Sequence, residues 1–276
     1  MVNNHRESFT AVVLAGDRGP DDPLLKATGE AGKALIRIGG KIMLGRVLEA
    51  LLEAESIDRI VLCGPPQTIL KNSSELRQYL KNPAIDWLEN ASSPSRSAAR
   101  ALETIPPEKK VLLTTADHAL LTPEIIDYFC RATEGEQSDL AVGMEDYDLL
   151  REKYPESRRT VTRFQDGEYC SCNLFAFLTP AARRAAEFWQ QVEKERKKPH
   201  KLISMCGFLT AIKFLLRQLT LDEGLQRLAR KMELTAAAVR LPFAEAAIDV
   251  DKPEDLELVR EIVGSATKPA DPDDTL

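Results

Sequence analysis

Asp117 is the first residue whose type and setting suggest chemistry, within the stretch Val111–Glu124 (VLLTTADHALLTPE). An apolar run, Val111–Leu113, leads through small residues to the acid, and Thr122-Pro123 then opens a helix with Thr122 as its N-cap. That pattern predicts a buried strand delivering one carboxylate to its C-terminal end. In open α/β sheets ligands bind in the crevice beyond the carboxyl ends of the strands, so an acid placed there can hold a hard cation against a substrate. The same side chain could instead tighten its loop by accepting local backbone amides.

Lys33 is the second. Phe9–Ala15 (FTAVVLA) predicts a first buried strand, cut off by Gly16-Asp17-Arg18-Gly19-Pro20, and a loop rich in Gly, Pro and Asp runs on to Gly32 before Lys33. Small residues at a strand end let the backbone approach phosphates. The loop is neither a P-loop nor a dinucleotide fingerprint, because GxxxxGK[ST] and GxGxxG are both absent, and a plain surface loop is the alternative. The third candidate group lies in Ala247-Ile248-Asp249-Val250-Asp251-Lys252-Pro253-Glu254-Asp255-Leu256. Asp251, three residues before Glu254, predicts a capping-box start to a last helix with Leu256, Val259, Ile262 and Val263 facing inward. Asp249 has no such structural task.

Strands alternating with helices must position these groups. Met43, Leu44, Val47, Leu48, Leu51 and Leu52 form one apolar stripe at helical spacing. Arg59–Cys63, Ile85–Leu88 and Asp139–Gly143 read as further strands, with a helix over Thr68–Leu80 and another over Ala98–Thr104 after the serine cluster Ser92–Ser97. A serine cluster there first suggests helix capping. Alternation of this kind predicts an α/β fold with a doubly wound, mostly parallel sheet. Arg158–Phe164 then alternates at period two, Gln165–Glu168 makes a turn and Tyr169–Phe177 runs back, which predicts a hairpin. A helix over Leu221–Met232 and a strand over Ala236–Leu241 follow, and residues 264–276 read as a disordered tail.

Bulk composition narrows the classes. With 276 residues, 43% of them hydrophobic, the chain can bury a substantial core as one large domain or as one domain with an appended lobe. A net charge of -6 and a pI near 5.4 argue against nucleic acid as the main partner, so an anionic substrate must meet a local positive cluster. Arg158, Arg159, Arg163, Arg196, Lys197, Lys198 and Lys201 are candidates for it. Five cysteines without CxxC spacing and three histidines speak against structural zinc and a disulfide framework. The polar start, Met1–Ser8, has no signal-peptide pattern, and Leu202–Leu221 is interrupted by Gly207, Lys213, Arg217 and Gln218, short of the ~20 apolar residues of a transmembrane span. The expectation is a cytoplasmic protein, for which the basic RKKPHK run before that apolar segment leaves peripheral contact with an anionic membrane as a further reading.

AVVLAG, followed at a distance by GKALIRIGGKIMLGRVLEALLEA, resembles the start of the MobA-like nucleotidyltransferases, whose pattern is roughly LAGGxGxR and then PKxLxxxxGxPxL. Thr115-Ala116-Asp117-His118-Ala119-Leu120 is similar to the family's TAD-x-P-L, and Asp249–Leu256 to its closing D-V-x-T-P-E-D-L. The resemblance implies a Rossmann-like sheet of the nucleotide-diphospho-sugar transferase type over residues 1–263, with an inserted acceptor-binding lobe at about 146–233. It implies a nucleoside triphosphate and a phosphorylated small-molecule acceptor as substrates. Ala15, Gly16 and Arg18 would fall in the triphosphate loop and Lys33 would be the phosphate lysine, with Arg18 and Lys33 acting in catalysis. Ser97 would lie against the base, Asp117 and Asp249 would bind Mg²⁺, and Asn173 would touch the acceptor together with the basic residues Arg163 and Lys201. Two departures stand out: Asp17 replaces the second glycine, and Asp21-Asp22 adds negative charge beside a polyphosphate. His118 is expected to face solvent, since this chemistry requires no base. The rival readings are a nucleotide-sugar glycosyltransferase, because Asp249-Val250-Asp251 spells DxD, and a non-catalytic nucleotide-binding protein on the same fold.

Overall fold

A computed structural model describes residues 8–17, 19, 21–135, 137–195 and 207–266. In chain order its strands are β1 (Phe9–Leu14), β2 (Arg37–Ile38), β3 (Lys41–Ile42), β4 (Ile57–Cys63), β5 (Ile85–Leu88), β6 (Val111–Thr115), β7 (Leu140–Asp146), β8 (Thr162–Arg163), β9 (Glu168–Phe177) and β10 (Ala236–Arg240). β2 and β3 form a small antiparallel ribbon, and the others build one sheet in the order β10-β7-β9-β6-β1-β4-β5, with β8 added against β9. Pairing is parallel except along β9, which runs antiparallel to β6, β7 and β8. This is the mostly parallel, helix-flanked sheet that the alternation predicted.

Both faces of the sheet are covered, as a parallel sheet requires. Along β1, Phe9, Ala11 and Val13 enter one apolar cluster while Val12 and Leu14 enter the other. The helix Met43–Glu53 packs on the first face through Met43, Leu44, Val47, Leu48 and Leu51, all buried. Its Gly45 admits the neighbouring Tyr79, whose hydroxyl would lie 2.6 Å from a Cβ there. The helix Pro94–Glu103 covers the other face with Ala98, Ala101 and Leu102. From β1 the chain proceeds to β4 and β5 on one side and then returns to β6 on the other. The order therefore reverses at β1 and β6, and their carboxyl ends bound the crevice where such folds take ligands.

Several boundaries differ from the sequence reading. Residues 68–80 form two helices, Gln67–Asn72 and Ser74–Tyr79, because the Ser73 hydroxyl accepts from the Leu76 amide and restarts the helix. The first loop contains a helix, Pro23–Thr28, capped by Asp22. Only Thr162–Arg163 of the Arg158–Phe164 run pairs as a strand. Ser93 occupies the N-cap position of the Pro94–Glu103 helix without a side-chain cap bond, and Pro94 at the first turn carries the start. The last helix, Pro253–Ala266, continues past Gly264, where composition predicted disorder; residues 267–276 lie outside the described residues. Among the described residues no helix is long and apolar enough to cross a membrane.

Candidate active site

The loops after β1 and β6 leave the sheet side by side. The Ala116 amide donates to the Leu14 carbonyl at 2.9 Å, and the Ala15 amide donates to the Cys63 carbonyl at 2.8 Å. Gly64, at φ +88, allows this approach, since a Cβ there would lie 2.9 Å from the Ala15 carbonyl oxygen. Asn90 lies against Gly16, whose Cβ would meet its Nδ2 at 3.3 Å. The Ser97 hydroxyl, from inside the Pro94–Glu103 helix, accepts from the Ala91 amide at 2.8 Å and so ties the Asn90 segment down. Ala15, Gly16 and Ser97 are thereby brought into one neighbourhood. Asn90 itself went unnoticed in the sequence; its Oδ1 is buried and has no hydrogen-bond partner.

Lys33 is nearly buried and doubly paired. Its Nζ lies 3.1 Å from Asp22 and 3.5 Å from Asp251, while its backbone amide donates to Asp17 at 3.0 Å. A buried ammonium requires such partners. Two of the three acids that looked like departures, Asp17 and Asp22, thus have local work. Asp22 also accepts from the Leu24 amide at 2.9 Å as the helix cap, and burial raises the Asp17 carboxyl while the Lys33 amide opposes the rise. Asp21 points outward to Lys26. Arg18 lies outside the described residues.

Asp117 is partly exposed as a residue, but its Oδ1 is buried and without a hydrogen-bond partner. Burial raises its pKa, the neighbouring Thr115 side chain opposes that, the Asp251 charge pushes it further up and the Lys33 charge draws it down. The Val250 amide donates to the Asp117 carbonyl at 2.9 Å, which lays residues 249–251 alongside the end of β6. His118 is buried rather than solvent-facing, and its pKa is lowered to about 4 by burial and then by the Arg159 charge. It is neutral near pH 7.

Asp251 also departs from expectation. Its carboxylate meets Lys33, and Asp255 is the residue that reaches back to the Asp251 and Lys252 amides, at 3.1 and 2.9 Å, to cap the last helix. Asp249 faces a different set of partners. Asn173 Nδ2 donates to its Oδ2 at 2.8 Å, and the Arg159 guanidinium pairs with its carboxylate, donates to its backbone carbonyl at 3.0 Å and lies 3.8 Å from Asp255. The two acids of the DxD string therefore serve different cations.

A β-bulge aims Asn173 at this cluster. Along β7 and β9, Val142 pairs with Phe175 but Met144 pairs with Ser171, so two steps on β7 meet four on β9. Asn173 sits in the extra length at φ +50, a left-handed conformation that Asn tolerates better than most residues. Gly143 opposite gives the bulge room, for a Cβ there would lie 3.1 Å from Leu174 Cβ. Beside it opens a pocket of about 240 Å³ lined by Arg158, Thr160, Ser171, Asn173, Asp249 and Lys252 among others. Arg163 is not part of that lining: it is exposed and paired with Glu168 across the hairpin at 2.7 Å. Lys201, with Arg196, Lys197 and Lys198, lies outside the described residues.

Glu145 was also missed, because the strand reading stopped at Gly143. It is fully buried on β7, its Oε2 accepts from the Ala247 amide at 3.1 Å, and burial pushes its carboxyl up to about 8. An acid inside LAVGMED was the available signal.

The fold has relatives among solved structures. A hypothetical transferase from Thermus thermophilus is 28% identical, with 90% of this chain and 99% of that chain covered and a TM-score of 0.74. CMP:2-keto-3-deoxy-manno-octonic acid synthetase complexed with CTP shares the fold at 13% identity, over 94% of this chain and 99% of that one, with a TM-score of 0.58. So does 4-diphosphocytidyl-2C-methyl-D-erythritol synthase from Anaerococcus prevotii, at 13% identity, 94% and 96% coverage and a TM-score of 0.56. No curated protein matches the chain. The model of the MobA-like NTP transferase domain matches residues 11–237, and the chain belongs to that family of nucleotidyltransferases.

Proposed function

We propose that the protein transfers a nucleoside monophosphate from a nucleoside triphosphate to a phosphorylated small-molecule acceptor in a Mg²⁺-dependent reaction that releases pyrophosphate. The observation that carries this reading is the meeting of Lys33, Asp117 and the Asp249–Asp251 segment at the carboxyl ends of β1 and β6. Hard carboxylate oxygens, one of them buried and unpartnered on Asp117, suit a small divalent cation. Among the described residues no three His, Cys, Asp or Glu side chains are already grouped to hold a metal. Mg²⁺ is usually held by one or two carboxylates together with substrate phosphates.

In this reading Asp117 and Asp249 would hold the ion, which supplies charge neutralisation on the phosphate oxygens when bound. An acceptor phosphate oxygen attacks the α-phosphorus, a new P–O bond forms, the bond to the β-bridging oxygen breaks, and its electron pair leaves on pyrophosphate. Positioning and charge neutralisation carry such a transfer, so no covalent intermediate on the protein is needed. Lys33 offsets charge on the leaving group, with Arg18 as a second cation. Ala15 and Gly16 let the nucleotide approach the end of β1, and Ser97 holds the segment that lies against its base. The four described cysteines are buried and free, which suits a cytoplasmic setting.

A pyrophosphate-release screen tests the proposal, with four nucleoside triphosphates against pooled phosphorylated acceptors, with and without Mg²⁺. Acceptor-dependent and Mg²⁺-dependent pyrophosphate is expected. Transfer of sugar from a nucleotide sugar without pyrophosphate would turn the assignment to the glycosyltransferase reading, and Mg²⁺-dependent triphosphate binding without turnover to the non-catalytic one.

A further inference from the structure

The pocket beside Asn173 has two layers of charge. In its floor Arg159 is closed off, paired with Asp249 and near Asp255. At its mouth Arg158 and Lys252 are exposed, and neither makes a salt bridge or a side-chain hydrogen bond among the described residues. Between them stand exposed Thr160 and Ser171, and Asn173 from the bulge. The wall offers hydroxyl, amide and charged groups and, apart from Cys170, nothing apolar. At about 240 Å³ it is smaller than the several hundred Å³ of a drug-sized site.

From this the geometry points to an acceptor that is a compact, hydroxyl-rich phosphate monoester, its phosphate received between Arg158 and Lys252 and its hydroxyls met by Thr160, Ser171 and Asn173. The inference rests on the proposed transfer and goes beyond it by choosing among acceptors. A hydrocarbon chain or a fused ring would find no apolar wall to displace water from, and would leave these polar groups without partners. A phosphate suits two open cations on separate elements, one before β8 and one at the start of the last helix, because each can approach different oxygens. Arg159 cannot do the same work without abandoning Asp249.

The full-length protein tests this by calorimetric titration in Mg²⁺ with four probes: glycerol 3-phosphate, sorbitol 6-phosphate, unphosphorylated sorbitol and dodecyl phosphate. At least one polyol phosphate is expected to bind, with dodecyl phosphate and unphosphorylated sorbitol silent. The double variant Arg158→Ala, Lys252→Ala should weaken that binding by about tenfold or more, in line with losing charge-assisted contacts, and leave nucleoside triphosphate binding unchanged. Both side chains are exposed, so the variant is expected to melt with the wild type. Binding of dodecyl phosphate alone, binding of no polyol phosphate, or undiminished binding in the double variant would each overturn the inference. A failed pyrophosphate screen with intact polyol phosphate binding would instead count against the transfer reaction and leave the pocket assignment standing.

Discussion

The two walls of the crevice are held by different means. On the side proposed for the nucleotide, the ends of β1, β4 and β6 are placed by backbone hydrogen bonds of the sheet, and Ala15, Gly16 and Asp117 follow from where strands stop. On the side proposed for the acceptor, Arg158–Thr160, the β9 bulge and Asp249–Asp255 come from segments far apart in the chain, joined through the side chains of Arg159, Asn173 and Asp255. Where the backbone provides geometry, a charged side chain is free to serve the substrate, so its removal should impair turnover alone. Where side chains provide geometry, the same removal should also loosen the fold.

Asp117→Asn presses hardest on that contrast. Turnover in the pyrophosphate assay should fall by ~10² or more, the scale for losing a principal charge-stabilising group. Stability should hold or rise, because burial already disfavours the charged form of this carboxyl. A melting temperature well below wild type would place Asp117 among the structural acids and erase the distinction between the walls.

Arg159→Met is the counterpart. It strips Asp249 and Asp255 of their buried cation while keeping most of the side-chain volume. Breaking a buried pair from one side costs about 3 kcal/mol, which for a chain of this size lowers Tm by roughly 6 °C or more. Thermal melts check it, with Arg158→Met as the control on the adjacent, open cation, where no shift is expected. Equal melting of both variants would mean that Arg159 stabilises nothing.

The same division explains what could be read from the sequence. The positions of Asp117 and Gly16 were legible because strand ends announce themselves through an apolar run followed by small residues; Lys33 instead opens a short 3-10 turn and is held by the side chains of Asp17, Asp22 and Asp251. Asn173 was visible as an asparagine but its reason was not: it depends on a register slip opposite Gly143, which no local pattern encodes. Arg159 stood among seven basic candidates from which the sequence reading preferred Arg163 and Lys201, and only its burial against Asp249 singles it out. Asp251 matched a helix-start motif, and the motif was satisfied by Asp255 four residues later. His118 was assigned to solvent because nothing in TADHAL shows that the chain turns inward after Asp117; the backbone bonds to Val250 and Leu121 do that.

Glu145→Gln probes the support behind the acceptor wall through pH. In the folded protein this carboxyl titrates near 8 because it is buried, against 4.5 for the ordinary group. Between those values the unfolded chain is ionised while the folded one keeps its proton. The folded state binds more protons there, so this group makes stability fall as pH rises from about 4.5 toward 8. Glutamine retains the acceptor for the Ala247 amide without an ionisable proton. The variant should therefore match the wild type near pH 4.5 and melt higher at pH 8, with roughly 2–4 °C gained per kcal/mol. A constant difference across that window would remove Glu145 titration as its cause.

Ser97→Ala carries the smallest effect and tests the nucleotide wall where it does depend on a side chain. The hydroxyl is buried and accepts the Ala91 amide, and alanine leaves that donor without its partner. The cost is about 1 kcal/mol, the usual size for one such bond, and the helix itself should persist because Pro94 starts it without help from Ser97. Since Asn90 leans on Gly16 through the segment that Ser97 secures, the loss should appear mainly as a higher KM for the nucleoside triphosphate, with kcat and acceptor KM little changed. A lower kcat at unchanged triphosphate KM would show that Ser97 acts on the reacting groups and that the wall behind the base is held by the backbone alone.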